Sequence, residues 1–161
     1  MKSLIDAQIS QIEKEVKRNS PEAIDHATNL IVQFPDYAKV WSLRAYIYAR
    51  AGNLQAAISD LNHAIEKSAS EPGLFFDRGR YFAQSGNYQC AIQDFTAGLI
   101  ASELLNEQYY TETLYFLRAD AYLHTENKRD AISDLQHVGN NFSLWTTTLL
   151  TKEMLLNRAQ I

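Results

Sequence analysis

Cysteine, proline and glycine are all scarce in this chain of 161 residues, which holds one, three and six of them respectively. A lone Cys90 rules out an intrachain disulfide framework and a paired redox centre. Cys90 stands beside Ala91 at a helix start, where the dipole can lower a thiol pKa. No histidine lies at a motif spacing from it, so it reads as a bystander and not as a nucleophile. The prolines, Pro21, Pro35 and Pro72, fall at expected helix boundaries, and no Pro/Gly/Ser-rich linker or charge block divides the chain. One domain over residues 1–161 is expected, long enough to bury about two-thirds of its unfolded surface.

Other absences narrow the function. Positive charge is not in excess: the net charge is −4, without the electrostatic footprint of a nucleic-acid binder. No apolar run reaches the length that spans a bilayer. The first sixteen residues carry acids and a helical period in place of a secretory signal. A cytoplasmic protein without membrane contacts is the expectation. His26, His63, His124 and His137 show no ligand spacing, and neither a phosphate-binding glycine loop nor a nucleophile elbow is present. The reading is therefore no metal, no cofactor, no catalytic residue and no enzyme.

What the chain does have is a period. Ala23-Ile24, Ala57-Ile58 and Ala91-Ile92 recur every 34 residues, and Ala131-Ile132 follows 40 further on. A period of that size marks a stack of like units. Sixteen residues before the last three pairs stands an aromatic (Trp41, Phe75, Tyr115). A small residue follows at i+4 (Ala45, Gly79, Ala119) and a second aromatic at i+7 (Tyr48, Phe82, Tyr122). That spacing puts all three on one helix face. Gly52-Asn53 and Gly86-Asn87 then end one helix and cap the next. The second helix carries Ala-Ile, then Leu61, Phe95 or Leu135, then Ala64, Gly98 or Val138. Small residues allow close helix approach and aromatics fill the holes beside them. Each helical pair must bury its apolar face on a neighbour.

The pattern resembles the tetratricopeptide repeat, carried best by Trp41, Ala45, Tyr48, Gly52, Ala57, Leu61 and Ala64 and repeated from Phe75 and from Tyr115, where Glu126 replaces the glycine. The resemblance implies an all-α solenoid of antiparallel helix pairs, winding as a right-handed superhelix, with repeats at about 4–37, 38–71, 72–111 and 112–141. Nine helices are expected, at about 3–18, 21–34, 37–51, 54–68, 72–85, 88–104, 108–125, 128–139 and 142–159. The first unit is degenerate: Ala23, Ile24, Ala27 and Pro35 fit, but the stripe Ile5, Ile9, Ile12, Val16 is offset and the glycine is missing, as suits a cap. The last helix, 142–159, is expected to close the other end with Trp145, Leu149 and Met154 or Leu155. Its surplus of apolar residues points to self-association, as a homodimer through that C-terminal helix, or to a partner contact.

In one place the chain departs from the family. Arg44, Arg78 and Arg118 stand where the family has Leu, and Asp60, Asp94 and Asp134 each follow sixteen residues later. An arginine array for an acidic ligand and an ion pair between the helices both fit, and the pair is the favoured reading because a partly buried Arg needs a partner.

In such folds the first helix of each pair lines the concave wall. The resemblance thus makes Lys39, Ser42, Tyr46 and Arg50 the contact candidates of one unit, Phe76, Asp77 and Arg80 those of the next, and Phe116, Asp120 and His124 those of the third. Aromatic and Arg residues dominate many such interfaces, although Leu43, Phe76 and Leu117 also fit simple packing between repeats. The Lys/Asn/Arg clamp that relatives use for a C-terminal carboxylate is missing, since Ser42, Tyr46, Asp77 and Arg80 occupy that wall; chaperone tails are not expected as ligands. The extra residues near 104–111 add Tyr109 and Tyr110 on one edge, where binding surfaces tend to grow. The implied function is a non-catalytic module for a specific protein or peptide, an adaptor or dedicated chaperone. The stretch from Tyr115 to Trp145 and the 152–156 tail also look like small bacterial repeat proteins that accompany toxins, which makes an immunity protein the alternative. A regulatory subunit with a small-molecule site finds no motif.

Overall fold

Turn chemistry decides where the helices begin and end, and the computed structural model, which describes residues 2–146 and 148–160, displays it in each pair. Asn53, Asn87 and Asn127 each stand before a helix, and each side-chain oxygen accepts the backbone N–H three residues on, at 3.1, 3.2 and 3.3 Å. Just before them Gly52 and Gly86 take φ of +81° and +82°, a left-handed conformation that costs glycine little. The backbone N–H of Asn53 and of Asn87 then reaches back to the carbonyls of Tyr48 and Phe82, at 2.9 and 2.8 Å. In the first pair Asn19 adopts the left-handed turn with φ of 55°. The glycine that the sequence lacks there has an asparagine in its place, one residue nearer the Ala-Ile pair.

The fold is all-α, built of antiparallel helix pairs, with nine helices and one short hairpin among the described residues. It consists of two compact units, Met1–Ala69 and Ser70–Ile161. The first holds α1 (Lys2–Lys17), α2 (Ala23–Gln33), α3 (Ala38–Arg50) and α4 (Leu54–Lys67). The offset stripe of α1 is its core face: Ile5, Ile9, Ile12 and Val16 are buried together with Ala27, Leu30 and Ile31 of α2 and Val40 and Leu43 of α3. Each large side chain so buried contributes roughly 1.5–3 kcal/mol. His26 on α2 bonds Glu15 on α1 at 2.7 Å, which raises the histidine pKa and lowers that of the carboxyl.

The second unit holds α5 (Pro72–Gln84), α6 (Tyr88–Leu105), α7 (Thr111–His124), α8 (Lys128–Leu135), β1 (Ser143–Trp145), β2 (Leu149–Thr151) and α9 (Lys152–Gln160). Gly79 on α5 is small because Phe95 of α6 is large. A Cβ at 79 would lie 2.6 Å from the Phe95 ring, and that ring is fully buried. The period break near 104–111 is a longer α6, closed at Asn106 in a left-handed conformation with φ of 51°.

The single helix expected over 142–159 is a correction. Residues 143–145 and 149–151 pair as antiparallel strands, with Leu144 opposite Leu150 and Trp145 opposite Leu149, and the helix begins at Lys152. Alternation explains it. Leu144 and Leu150 face the core with Phe142 and Leu155, while Trp145 and Leu149 point outward, a period of two. The β-branched Thr146 and Thr148 favour extended backbone over helix. The covering is likewise corrected. Leu155 is buried, but Trp145 is 76% exposed and Met154 46%, so neither of these caps the core.

Candidate functional site

The sixteen-residue Arg–Asp spacing brings each pair into contact between the two helices of its own repeat. Arg44 forks onto Asp60 with both bonds at 2.8 Å, Arg78 onto Asp94 at 2.9 and 2.6 Å, and Arg118 onto Asp134 at 2.8 and 2.7 Å. The three aspartates are buried. Arg44 and Arg118 spend a further N–H on a threonine of the preceding repeat, Thr28 at 3.3 Å and Thr96 at 2.9 Å. Each guanidinium also lies near aromatic rings, Arg44 at 5.5 Å from Trp41 and 5.6 Å from Tyr48, Arg118 at 5.5 Å from Tyr115 and 5.9 Å from Tyr122. The bonds to Asp60 push the Arg44 pKa up; burial opposes charge at Arg118, yet the bonds to Asp134 leave its pKa raised too. These arginines are committed to holding the helix pairs together, and they are not an exposed array for an acidic ligand.

The exposed row on α3 is formed by Lys39, Ser42, Tyr46 and Arg50. Lys39 Nζ reaches Asp6 on α1 at 3.4 Å, and the Ser42 hydroxyl donates to the Lys39 carbonyl at 3.1 Å. Tyr46 is 43% exposed, with the Arg50 guanidinium 5.9 Å from its ring centre. Arg50 also donates to the side-chain oxygen of Asn19 at 3.1 Å, so the left-handed turn after α1 holds it in place. Leu43 is buried and belongs to the core.

The corresponding row in the second unit is more polarised. On α5, Arg80 lies 3.8 Å from Asp77 and 5.2 Å from the centre of the Phe76 ring. Phe76 meets Tyr110 at 5.1 Å with the rings tilted by 42°. Tyr110 in turn lies on Gly73, where a Cβ would stand 3.0 Å from its hydroxyl. Tyr109, 79% exposed, sets its ring edge-on to Tyr110 at 4.9 Å. Asp77 is half-buried in this setting, and burial pushes its carboxyl up to about 6 although Arg80 pulls the other way. Burial also raises the Tyr110 phenol, and the charges of Asp77, Tyr109, Glu107 and Glu71 raise it further.

The third row is closed. Phe116 is fully buried, with the Phe142 ring 4.9 Å away, and this corrects its reading as an exposed anchor. Asp120 bonds Arg158 of α9 at 2.6 Å, with His124 at 3.8 Å. The His124 ring stacks on Tyr88 at 4.0 Å. Leu117 is buried in the core. The C-terminal segment thus covers wall residues expected to meet a partner. Two stacked pairs went unread in the sequence, Trp41 with His63 at 4.5 Å and Tyr115 with His137 at 4.3 Å. Their common 22-residue spacing was the signal that would have revealed them.

No group of three or more His, Cys, Asp or Glu side chains gathers as a metal site among the described residues, and none of their helices is long and apolar enough to cross a membrane. Residues 15–72 match the tetratricopeptide repeat family. Solved structures with the same fold include a crystal structure of MamA (15% identity, TM-score 0.73, covering 83% of this chain and 75% of that one). MamA 41-end from Desulfovibrio magneticus RS-1 is also similar (16% identity, TM-score 0.71, 83% and 72% covered). So is the TPR2B domain of yeast Sti1 in a complex with pHsp70 (20% identity, TM-score 0.68, 73% and 94% covered). No curated protein matches the chain in sequence.

Proposed function

We propose that this chain, whose residues 15–72 match the tetratricopeptide repeat family and whose fold is shared by solved repeat structures, is a non-catalytic module that docks a specific protein or peptide, as an adaptor or dedicated chaperone. The observation that carries this reading is the division of labour among its arginines. Those inside the repeats are consumed by buried aspartates, while Arg50 and Arg80 stay on the exposed rows beside Tyr46 and Phe76. An Arg set beside an aromatic ring on an exposed helix face is what a recognition surface needs.

The test uses the whole chain, immobilised and exposed to extract of the cell that makes it, beside a variant carrying Tyr46→Ala and Arg50→Glu. A partner held by the unaltered chain and weakened roughly thirtyfold by the variant, the loss of one strong anchor, is the expected outcome. Equal retention by both removes the α3 row from the contact. A captured partner that binds only when folded, and whose activity is then suppressed, favours the neutralising alternative; one that a short peptide displaces favours the adaptor. Self-association is a separate matter, resting on the exposed Trp145, Leu149 and Met154. A sedimentation coefficient that drops to the monomer value on Trp145→Ser would assign that patch to a second copy.

A further inference from the structure

Resting on that reading of the exposed rows, we propose that the wall formed by Phe76, Asp77, Tyr109 and Tyr110 receives a basic side chain, lysine or arginine, from an extended segment of the partner. Asp77 is the centre of the argument. Its side chain is 41% accessible, it accepts no hydrogen bond among the described residues, and its nearest cation, Arg80, stays at 3.8 Å. This carboxylate is partly shielded by burial and only loosely paired, and a charged N–H donor supplied from outside completes its set of partners. An apolar side chain seated there would strip away the remaining water and make the deficit worse.

The surroundings favour the same sign of charge. Glu71, Asp77 and Glu107 all act on the Tyr110 hydroxyl, so negative charge converges here from the entry to α5, from α5 itself and from the loop before α7. Arg80 opposes them, but it is drawn over the Phe76 ring. An acidic ligand would be repelled by that field. Aromatic faces attract cations as well, and this chain already sets Arg80 over Phe76 and Arg50 over Tyr46. Tyr109 offers one more ring, and its partner Tyr110 is fixed by Gly73 and Phe76, so little ordering is left for the ligand to bring about.

The experiment compares two blocked pentapeptides, one with a central lysine between leucines and one with glutamate in its place, titrated into the isotopically labelled whole chain and followed by NMR. The lysine peptide is expected to shift the amides of Asp77 and of residues 109–111, with affinity falling about tenfold on Asp77→Asn and about threefold on Tyr109→Ala. Affinity should also fall as the pH drops through about 6, because the cation needs the ionised carboxylate. The carboxyl of Asp77 titrates higher in the folded chain than in the unfolded one. Its ionisation therefore works against folding as pH rises from the ordinary carboxylate range to about 6, and Asp77→Asn should not lower the melting temperature at neutral pH. Equal shifts from the glutamate peptide, an unaltered affinity in Asp77→Asn, or no shift of these amides overturns the proposal. The docking reading fails separately, when the Tyr46→Ala/Arg50→Glu variant retains every partner of the unaltered chain.

Discussion

Replacing Asp94 with alanine is expected to cost about 3–5 kcal/mol, while replacing Arg78 and Asp94 together with leucines costs far less. The reason is the unequal fate of the two charges. Asp94 is 4% exposed and takes both bonds of the Arg78 fork. Its loss leaves a guanidinium between two helices without its carboxylate, and neither bulk water nor the Phe75 ring 6.0 Å away makes up the difference. Removing both charges leaves an apolar contact in an apolar seam. Urea denaturation of the two variants checks it, and equal losses would mean that the guanidinium has no need of the aspartate. The same contrast should recur at Arg118 and Asp134, where the geometry is nearly identical.

Phe116→Ala should cost a similar amount, about 3–5 kcal/mol, because it empties a fully buried site against Phe142. Tyr109→Ala, at an exposed ring on the same unit, should stay within about 0.5 kcal/mol. The pair of measurements separates a core residue from a surface one among side chains that the sequence placed in one class. A Phe116→Ala variant of normal stability would show that the C-terminal segment does not seal that face.

Repetition is what made parts of this molecule legible. The Arg–Asp pairs and the aromatic and small positions each occur three times, and the Gly–Asn turn twice, so a spacing could be checked against itself. The stripe of α1 was readable for another reason, since Ile5, Ile9, Ile12 and Val16 carry a helical period without any repeat to help. Legibility failed where a feature occurs once. The strand pair at 143–145 and 149–151 has no second copy to align, and in a chain otherwise helical its outward Trp145 and Leu149 passed for the core face of one more helix. Phe116 looked like its partly buried counterpart Phe76 because position within the repeat was the only guide. What buries it is Phe142, from a segment outside the period. Asp120 has the same history, taken up by Arg158 thirty-eight residues later. The Phe76, Asp77 and Tyr110 cluster lay between these extremes, since its members were named singly while their convergence depends on how the loop before α7 returns to α5.

Glu126 occupies the left-handed position, with φ of 61°, where the two preceding turns use glycine. For a residue with a side chain that conformation costs on the order of 1 kcal/mol, so the α7–α8 corner is the strained joint of its unit. In a stack whose members hold on only to their neighbours, breathing starts at the weakest corner. Amide exchange in α8 should outpace that in α6, and the arm that shields Phe116 would be the first part of the unit to lift away.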